Sequence, residues 1–300
     1  MIMMKVKSIV VLVSLISCVS VFAKISKVEK QALIDFYNTT NGAKWTKTWD
    51  LSKQAKTWEG ITIENNKVIS ISLMNNNLSG TLPSSIGDLK NLRLLNLAFN
   101  SIEGELPDNL MNLQNLQVLR LGKNKLSGSI SENIGNLKEL LILDLFSNKI
   151  SGSIPKSLSN ANRLKVILIS NNNISGRIPL ELGSLKYLER LELAENNIFG
   201  DVPAAIGKLS NLKMLVLSEN RLSGEFPATV FSLPNLKVLQ LQKNAFDQDR
   251  LKNSIPTQTD LALFDFDEPD ESGRRRNFEE IYKNNSSRMA DTKFDDDNEN

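Results

Sequence analysis

The chain has 300 residues, 41% of them hydrophobic and 23% charged, a balance that fits one large folded domain or two ordinary ones. Its formal net charge of +2 selects no partner class, and the absence of histidine removes the commonest general base and metal ligand. A single cysteine, Cys18, excludes a disulfide framework. The whole-chain charge hides an asymmetry: +2 over the first 23 residues, −6 over residues 265–300, and +6 between them.

Residues 1–23 read as a targeting segment. Lys5 and Lys7 form a basic start, Ser8 to Phe22 is apolar or small, and Val21-Phe22-Ala23 suits signal-peptidase cleavage after Ala23. Leu15-Ile16-Ser17-Cys18 resembles a bacterial lipobox, so a lipoprotein anchored through Cys18 is the alternative. The hydrophobic run continues through Val19 to Ala23, which favours the signal peptide. No later stretch is long enough to cross a membrane, so no transmembrane span is expected in the mature chain.

An N-terminal cap is expected over residues 24–67. Ser26-x-x-Glu29 is a capping box, and Val28, Ala32, Leu33 and Phe36 recur at helical spacing until Gly42. Trp45, Trp49 and Trp58 supply bulky apolar cover.

Residues 68–247 repeat. Asn76, Asn100, Asn124, Asn148, Asn172, Asn196, Asn220 and Asn244 recur with a period of 24, a solenoid signature. Each follows Leu or Ile by three residues and precedes Leu, Ile or Phe by two. Gly80, Gly104, Gly128, Gly152, Gly176, Gly200 and Gly224 keep the same phase, as do Pro83, Pro107, Pro155, Pro179, Pro203 and Pro227, with Ser131 the interior exception. In one unit, Leu92, Leu95 and Leu97 begin a short strand, and Asn100 ends it with a side chain able to donate and accept inside a sharp turn. Gly104 permits a close-packed backbone, Pro107 fixes the return segment, and Leu110 and Leu113 point back to the core. No unit buries its own apolar face, so the units must stack.

Asn77-Leu78-Ser79-Gly80-Thr81-Leu82-Pro83 and Asn173-Ile174-Ser175-Gly176-Arg177-Ile178-Pro179 resemble the plant-type leucine-rich repeat. That family includes plant receptor-kinase ectodomains, polygalacturonase-inhibiting proteins and bacterial surface proteins. The resemblance covers about residues 28–247, and Trp58-Glu59-Gly60-Ile61 resembles the W-x-G-V element of plant-type caps. It implies an α/β solenoid: a curved superhelix of eight 24-residue repeats plus caps, with a parallel sheet on the concave face used for ligands. The paired cysteines of such caps are missing, which removes a covalent staple.

Past Asn244 the pattern decays. A C-terminal cap is expected over 248–267, with Leu261 to Phe266 forming a last covering strand, and a disordered polar tail over 268–300. Asp265, Asp267, Glu268 and Asp270 lack the spacing of a calcium loop, so no metal or cofactor is expected.

An enzyme is not expected, because a mature body without histidine or cysteine has few groups for catalysis. The variable strand positions instead point to recognition. Asn96, Phe99, Arg120, Asp144, Phe146, Leu168 and Glu192 are the candidate binding residues of the concave face. Phe99 and Phe146, with Arg120 between them and Asp144 alongside, form the expected centre. Glu189, Glu192, Glu195 and Glu219 make the later units more acidic than Arg93, Arg120 and Lys123 make the earlier ones. The expected function is a secreted or cell-surface scaffold recognising a protein or peptide. The alternative is an inhibitor or binder of polysaccharides or polysaccharide-degrading enzymes. Nucleic acid is not expected, since no arginine-rich stripe with interleaved aromatics appears.

Overall fold

The computed structural model describes residues 24–256 and 261–266. The expected leader with Cys18 and the expected tail over 268–300 lie outside the described residues.

The chain enters through a helix, Lys27–Thr39. Ser26 Oγ accepts from the Glu29 amide at 3.1 Å, and the Glu29 carboxylate accepts from the Ser26 amide at 3.3 Å, so two exposed donors of the first turn are satisfied. Glu29 is buried and also accepts from the Val68 amide at 3.2 Å, which ties the cap helix to the first repeat strand. Ala32, Leu33 and Phe36 face the core. Val28 does not; it is 59% exposed, because it lies about 90° round the helix from the centre of the stripe formed by Glu29, Ala32, Leu33 and Phe36. Trp45, Trp49 and Trp58 are buried, with Trp49 and Trp58 stacked at 4.9 Å.

The main sheet has ten strands. Eight come from the repeating units, Lys67–Ser72 to Val238–Gln240, and run parallel in register, so that Leu95 lies opposite Leu119 and Leu119 opposite Leu143. The caps supply the other two. Ile61–Glu64 pairs antiparallel with Lys67–Ser72, and Leu263–Asp265 pairs parallel with Val238–Gln240. In the unit over residues 92–115 the strand is short, Leu94–Asn96, with Leu92 before it and Leu97 after it. Leu92, Leu95 and Leu97 are all fully buried. Burial of one such side chain contributes about 1.5–3 kcal/mol.

The far side of each unit is not α-helical. After the asparagine, a second short strand such as Ser101–Glu105 leads to a 3₁₀ turn such as Asp108–Asn112, which returns Leu110 and Leu113 to the core. Gly104 lies within this second strand at φ 80°, a left-handed backbone that a side chain would strain. Proline precedes most of these turns, as Pro107 does at φ −66°. Ser131 takes the same conformation at φ −60°, and its hydroxyl accepts from the Asn133 amide at 3.2 Å, so a side-chain cap replaces the fixed ring.

The asparagines bind each unit to its predecessor. Asn148 Oδ1 accepts from the Leu126 amide at 2.9 Å, while Nδ2 donates to the Leu145 carbonyl of its own unit at 3.0 Å and the Leu121 carbonyl of the previous one at 3.1 Å. The arrangement recurs at Asn100, Asn124, Asn172, Asn196, Asn220 and Asn244. Asn76, first in the series, grips the cap instead: Oδ1 accepts from the Lys47 amide at 2.7 Å and Nδ2 donates to the Lys47 carbonyl. Asn76, Asn148, Asn172 and Asn196 are buried, and the other four are half-buried.

At the far end, the helix Gln248–Ser254 is capped by Asp247, whose side chain accepts from the Arg250 amide, and buries Leu251. Phe231 meets Phe226 at 5.4 Å and Phe264 at 5.7 Å, edge to face, closing the last core layer.

Two stability changes follow from these contacts. Asn148→Leu strands the Leu126 amide and two carbonyls inside, so urea denaturation should show a loss of about 1–3 kcal/mol or more. Unchanged stability would remove the ladder from the account. Ser131→Pro restores the repeat's usual residue at a compatible φ and should gain about 0.4–1 kcal/mol through the unfolded state. A loss in the same titration would show that the Ser131 hydroxyl cap outweighs chain stiffening.

Candidate functional site

Three residues precede each ladder asparagine on the solvent side of the turn, at four, two and one positions before it, and each position forms a column across the units. The column immediately before the asparagine carries an unexpected constraint. Asn75, Phe99, Lys123, Ser147, Asn171, Glu195, Glu219 and Lys243 all have φ between 51° and 59°. This left-handed residue swings the chain off the strand and aims the next side chain inward. Its amide is held in turn by the following unit, as Phe99 N–H is by the Gly122 carbonyl at 2.9 Å. Asparagine tolerates that conformation, and phenylalanine strains it by about 1–2 kcal/mol. Phe99 nevertheless occupies it with 45% of its surface exposed.

The second aromatic, Phe146, belongs to the neighbouring column, two before its asparagine, and is half-buried. Lys123 reaches both rings. Lys123 Nζ lies 5.9 Å from the Phe99 centroid and 5.6 Å from that of Phe146, within reach of both ring faces. The sequence contained the signal for Lys123 in the two columns, which a reading of the strand positions alone passes over. Arg120 lies three residues back, at the end of the strand Val118–Arg120, and Asp144 acts on its charge.

Asn96 and Asp144 serve the turn itself. Asn96 Oδ1 accepts from the Ala98 amide at 3.3 Å, and Asp144 Oδ1 accepts from the Phe146 amide at 3.1 Å. Asp144 is buried because Gly122 leaves it room; a Cβ at Gly122 would stand 2.6 Å from Asp144 Oδ1. Leu168 and Glu192 are also buried, and Glu192 pairs with Arg190 along the strand. The solvent-facing part of the candidate set therefore narrows to Phe99, with Asn96, Arg120 and Phe146 half-exposed.

The acidic gradient is locally neutralised. Glu189 pairs with Lys213 at 2.6 Å and Glu219 with Lys243 at 2.7 Å, each 24 residues apart across one unit step. Glu195 is held above the usual carboxylate range by burial and by Glu219, opposed by Lys243. Arg93 meets Glu64 at 3.4 Å. Among the described residues no carboxylate forms an ion pair with the ammonium of Lys123 beside the aromatic pair.

Burial pushes the Asp144 carboxyl up to about 6, against the Phe146 amide and the Arg120 guanidinium, which favour the charged form; Glu192 adds to the rise and Arg190 opposes it. Burial also pulls the Arg120 guanidinium below its usual value, opposed by Asp144. A raised carboxyl binds its proton more tightly in the folded state, so its stabilising effect is full below about pH 4 and is lost as pH rises through about 6. Asp144→Asn keeps the oxygen acceptor and removes the titration. Its melting temperature should therefore gain on the wild type between pH 4 and pH 7; a constant difference across that range would show that Asp144 titrates normally.

Comparison with known proteins follows the same geometry. Leucine-rich repeat profiles match residues 67–89, 91–113, 115–137, 139–161 and 163–185, and a further one matches 185–246. The PEPR1–AtPEP1 complex is similar at 31% identity over 72% of this chain and 31% of that one, with a TM-score of 0.67. The Arabidopsis receptor kinase HAESA, solved with the peptide hormone IDA and the co-receptor SERK1, is 37% identical over 56% of this chain and 28% of its own, with a TM-score of 0.55. A plant ice-binding protein is 26% identical over 80% of this chain and 86% of its own, with a TM-score of 0.64. The chain thus spans less than a third of the length of these two receptor chains. With the repeat profiles, the register and the neighbours in agreement, the chain belongs to the leucine-rich repeat family, of the plant type.

Proposed function

We propose that this protein is an exported binding scaffold, held in solution or at the cell surface, that recognises a protein or peptide partner through the exposed face of its long sheet. The observation that carries the reading is the Phe99–Lys123–Phe146 cluster. A phenylalanine kept in a left-handed backbone and turned to solvent works against stability, and strain of this kind gathers where function needs the side chain. Support comes from the similar ectodomains, among them RGFR1 in complex with RGF2 and HAESA in complex with IDA. The basic start and apolar run of residues 1–23 support export.

A second reading, ice binding, draws on the near end-to-end match to the plant ice-binding protein. The regular serines on the second set of strands do not favour it. The Ser151 hydroxyl donates to the Gly128 carbonyl at 3.1 Å and that of Ser175 to the Gly152 carbonyl at 3.3 Å, so they are engaged by their own chain. An ice-recrystallisation assay decides: inhibition by the purified protein that survives loss of Phe99 and Phe146 would replace the peptide reading.

Capture of a partner by the immobilised protein, followed by titration, tests the main proposal. Phe146→Ala should weaken binding by more than about 1 kcal/mol. Phe99→Asn, the residue found at Asn75 and Asn171, should weaken binding equally while holding or raising the melting temperature, since it removes backbone strain. Lys156→Ala, on an exposed 3₁₀ turn away from the sheet, should leave affinity unchanged. Equal affinity for all three removes this face; a selective loss with Lys156→Ala moves the site to the other side.

A further inference from the structure

The same cluster defines the chemistry of the partner segment, an inference that rests on the sheet-face reading above. Two residues before successive ladder asparagines stand Met74, Ala98, Gly122 and Phe146. Side-chain size along this column therefore falls from large to small to none, then rises to large. Met74 is 39% exposed and Ala98 is buried. The result is a shallow notch walled by Met74 and Phe146, which stand three strand spacings, about 14 Å, apart. At Gly122 the Asp144 carboxylate takes the place of a side chain, so the open part of the column lies over Ala98. Phe99 and Lys123 stand along one rim, one residue further along the chain.

The notch has apolar walls, Met74 and Phe146, on either side of the small Ala98. The rim sets the charge that accompanies it. Lys123 is exposed, and its ammonium lies between two aromatic rings, 5.9 Å from the Phe99 centroid and 5.6 Å from that of Phe146. Among the described residues no carboxylate forms an ion pair with it, and the Asp144 carboxylate, which takes the place of a side chain at Gly122, accepts from the Phe146 amide. The rings are already served by a cation, so a second cation from a partner meets repulsion, whereas a carboxylate meets an ammonium held in place.

We propose that this notch takes an acidic peptide segment of another protein, in which an aromatic or large aliphatic side chain enters between Met74 and Phe146 and an adjacent Asp or Glu carboxylate pairs with Lys123. The neighbouring Asn96 and Asn75 offer polar contact at the notch edge.

The test is selection of peptides from an unbiased displayed library against the full chain, in parallel with Lys123→Met and Phe146→Ala, with Lys156→Ala as the control. Wild type and Lys156→Ala should enrich sequences that pair an acidic residue with an aromatic or large aliphatic neighbour. Lys123→Met should keep the apolar preference and lose the acidic one, and Phe146→Ala should lose both. A synthetic peptide from the enriched pool should bind wild type at least 10-fold more tightly than its Asp→Asn or Glu→Gln version, and that ratio should collapse towards 1 with Lys123→Met. Enrichment of neutral or basic sequences that still depends on Phe146 would overturn the acidic assignment and leave the sheet-face reading standing. Identical pools on wild type and Phe146→Ala would overturn both.

Discussion

One side-chain amide, repeated every 24 residues, holds the architecture together. At the end of each strand the chain must turn inward, and inside that turn several peptide groups lose contact with water. An unpaired buried peptide group costs as much as a lost hydrogen bond or more. Asparagine answers this with one group that accepts and donates at once: Asn148 Oδ1 takes the Leu126 amide, and its Nδ2 meets carbonyls of both its own unit and the one before. Aspartate lacks the donor, and leucine lacks both functions. Since each amide spans two units, the ladder satisfies the turn only when units are stacked. Local hydrogen bonding and global stacking thus impose the same requirement, which is the consistency expected of a sequence that specifies one structure.

That requirement divides the chain into positions that are fixed and positions that are free. The left-handed residue before each asparagine is restrained in backbone but not in side chain, and it is there that Phe99, Lys123, Glu195, Glu219 and Lys243 appear. Some of these choices serve cohesion. Lys243 reaches back to Glu219, and Lys213 to Glu189, stitching adjacent units with exposed ion pairs worth at most about 1 kcal/mol each. Phe99 serves no such purpose. It adds strain, leaves much of its ring in solvent, and shares Lys123 with Phe146. Departure from the cheaper residue at one rung of an otherwise economical series is what distinguishes recognition from repetition.

Most of the fold was legible because each requirement selects a residue type at one phase. The asparagines, the left-handed glycines and the prolines ahead of the return turns each announce a local conformation, and Ser131 stands out as a substitution even before its hydroxyl cap is seen. Of the two extra strands, the last one was legible over Leu261 to Phe266 and is found at Leu263–Asp265, whereas Ile61–Glu64 was not, since its cap carries no repeat. The far side gave no helical period because five-residue 3₁₀ turns are too short to show one. At the candidate site, Phe99 and Phe146 were visible as departures from their columns. The role of Lys123 was not, because it depends on Phe99 and Phe146 belonging to adjacent columns that converge on one ammonium. The sinking of Asp144 was hidden for a similar reason: it needs the missing side chain of Gly122, one unit earlier.

The position of the cluster along the solenoid bears on how well it can bind. Met74, Phe99, Lys123 and Phe146 belong to the units nearest the N-terminal cap, and that cap is stiff without any covalent staple. Trp49 stacks on Trp58 at 4.9 Å and meets Trp45 edge to face at the same distance. Each indole N–H is used: Trp45 donates to the Thr40 carbonyl, Trp49 to that of Glu59 and Trp58 to that of Asp50, at 2.8–2.9 Å. Glu29 then ties the cap helix to Val68, and Asn76 ties the loop at Lys47 to the first turn, so the rigidity of the cap passes directly into the strands beneath the notch. A partner meeting a surface already fixed in this way loses less conformational freedom on binding than one that must order a mobile face. Because the cap relies on aromatic packing and not on thiols, that preorganisation is independent of the redox state of the surroundings.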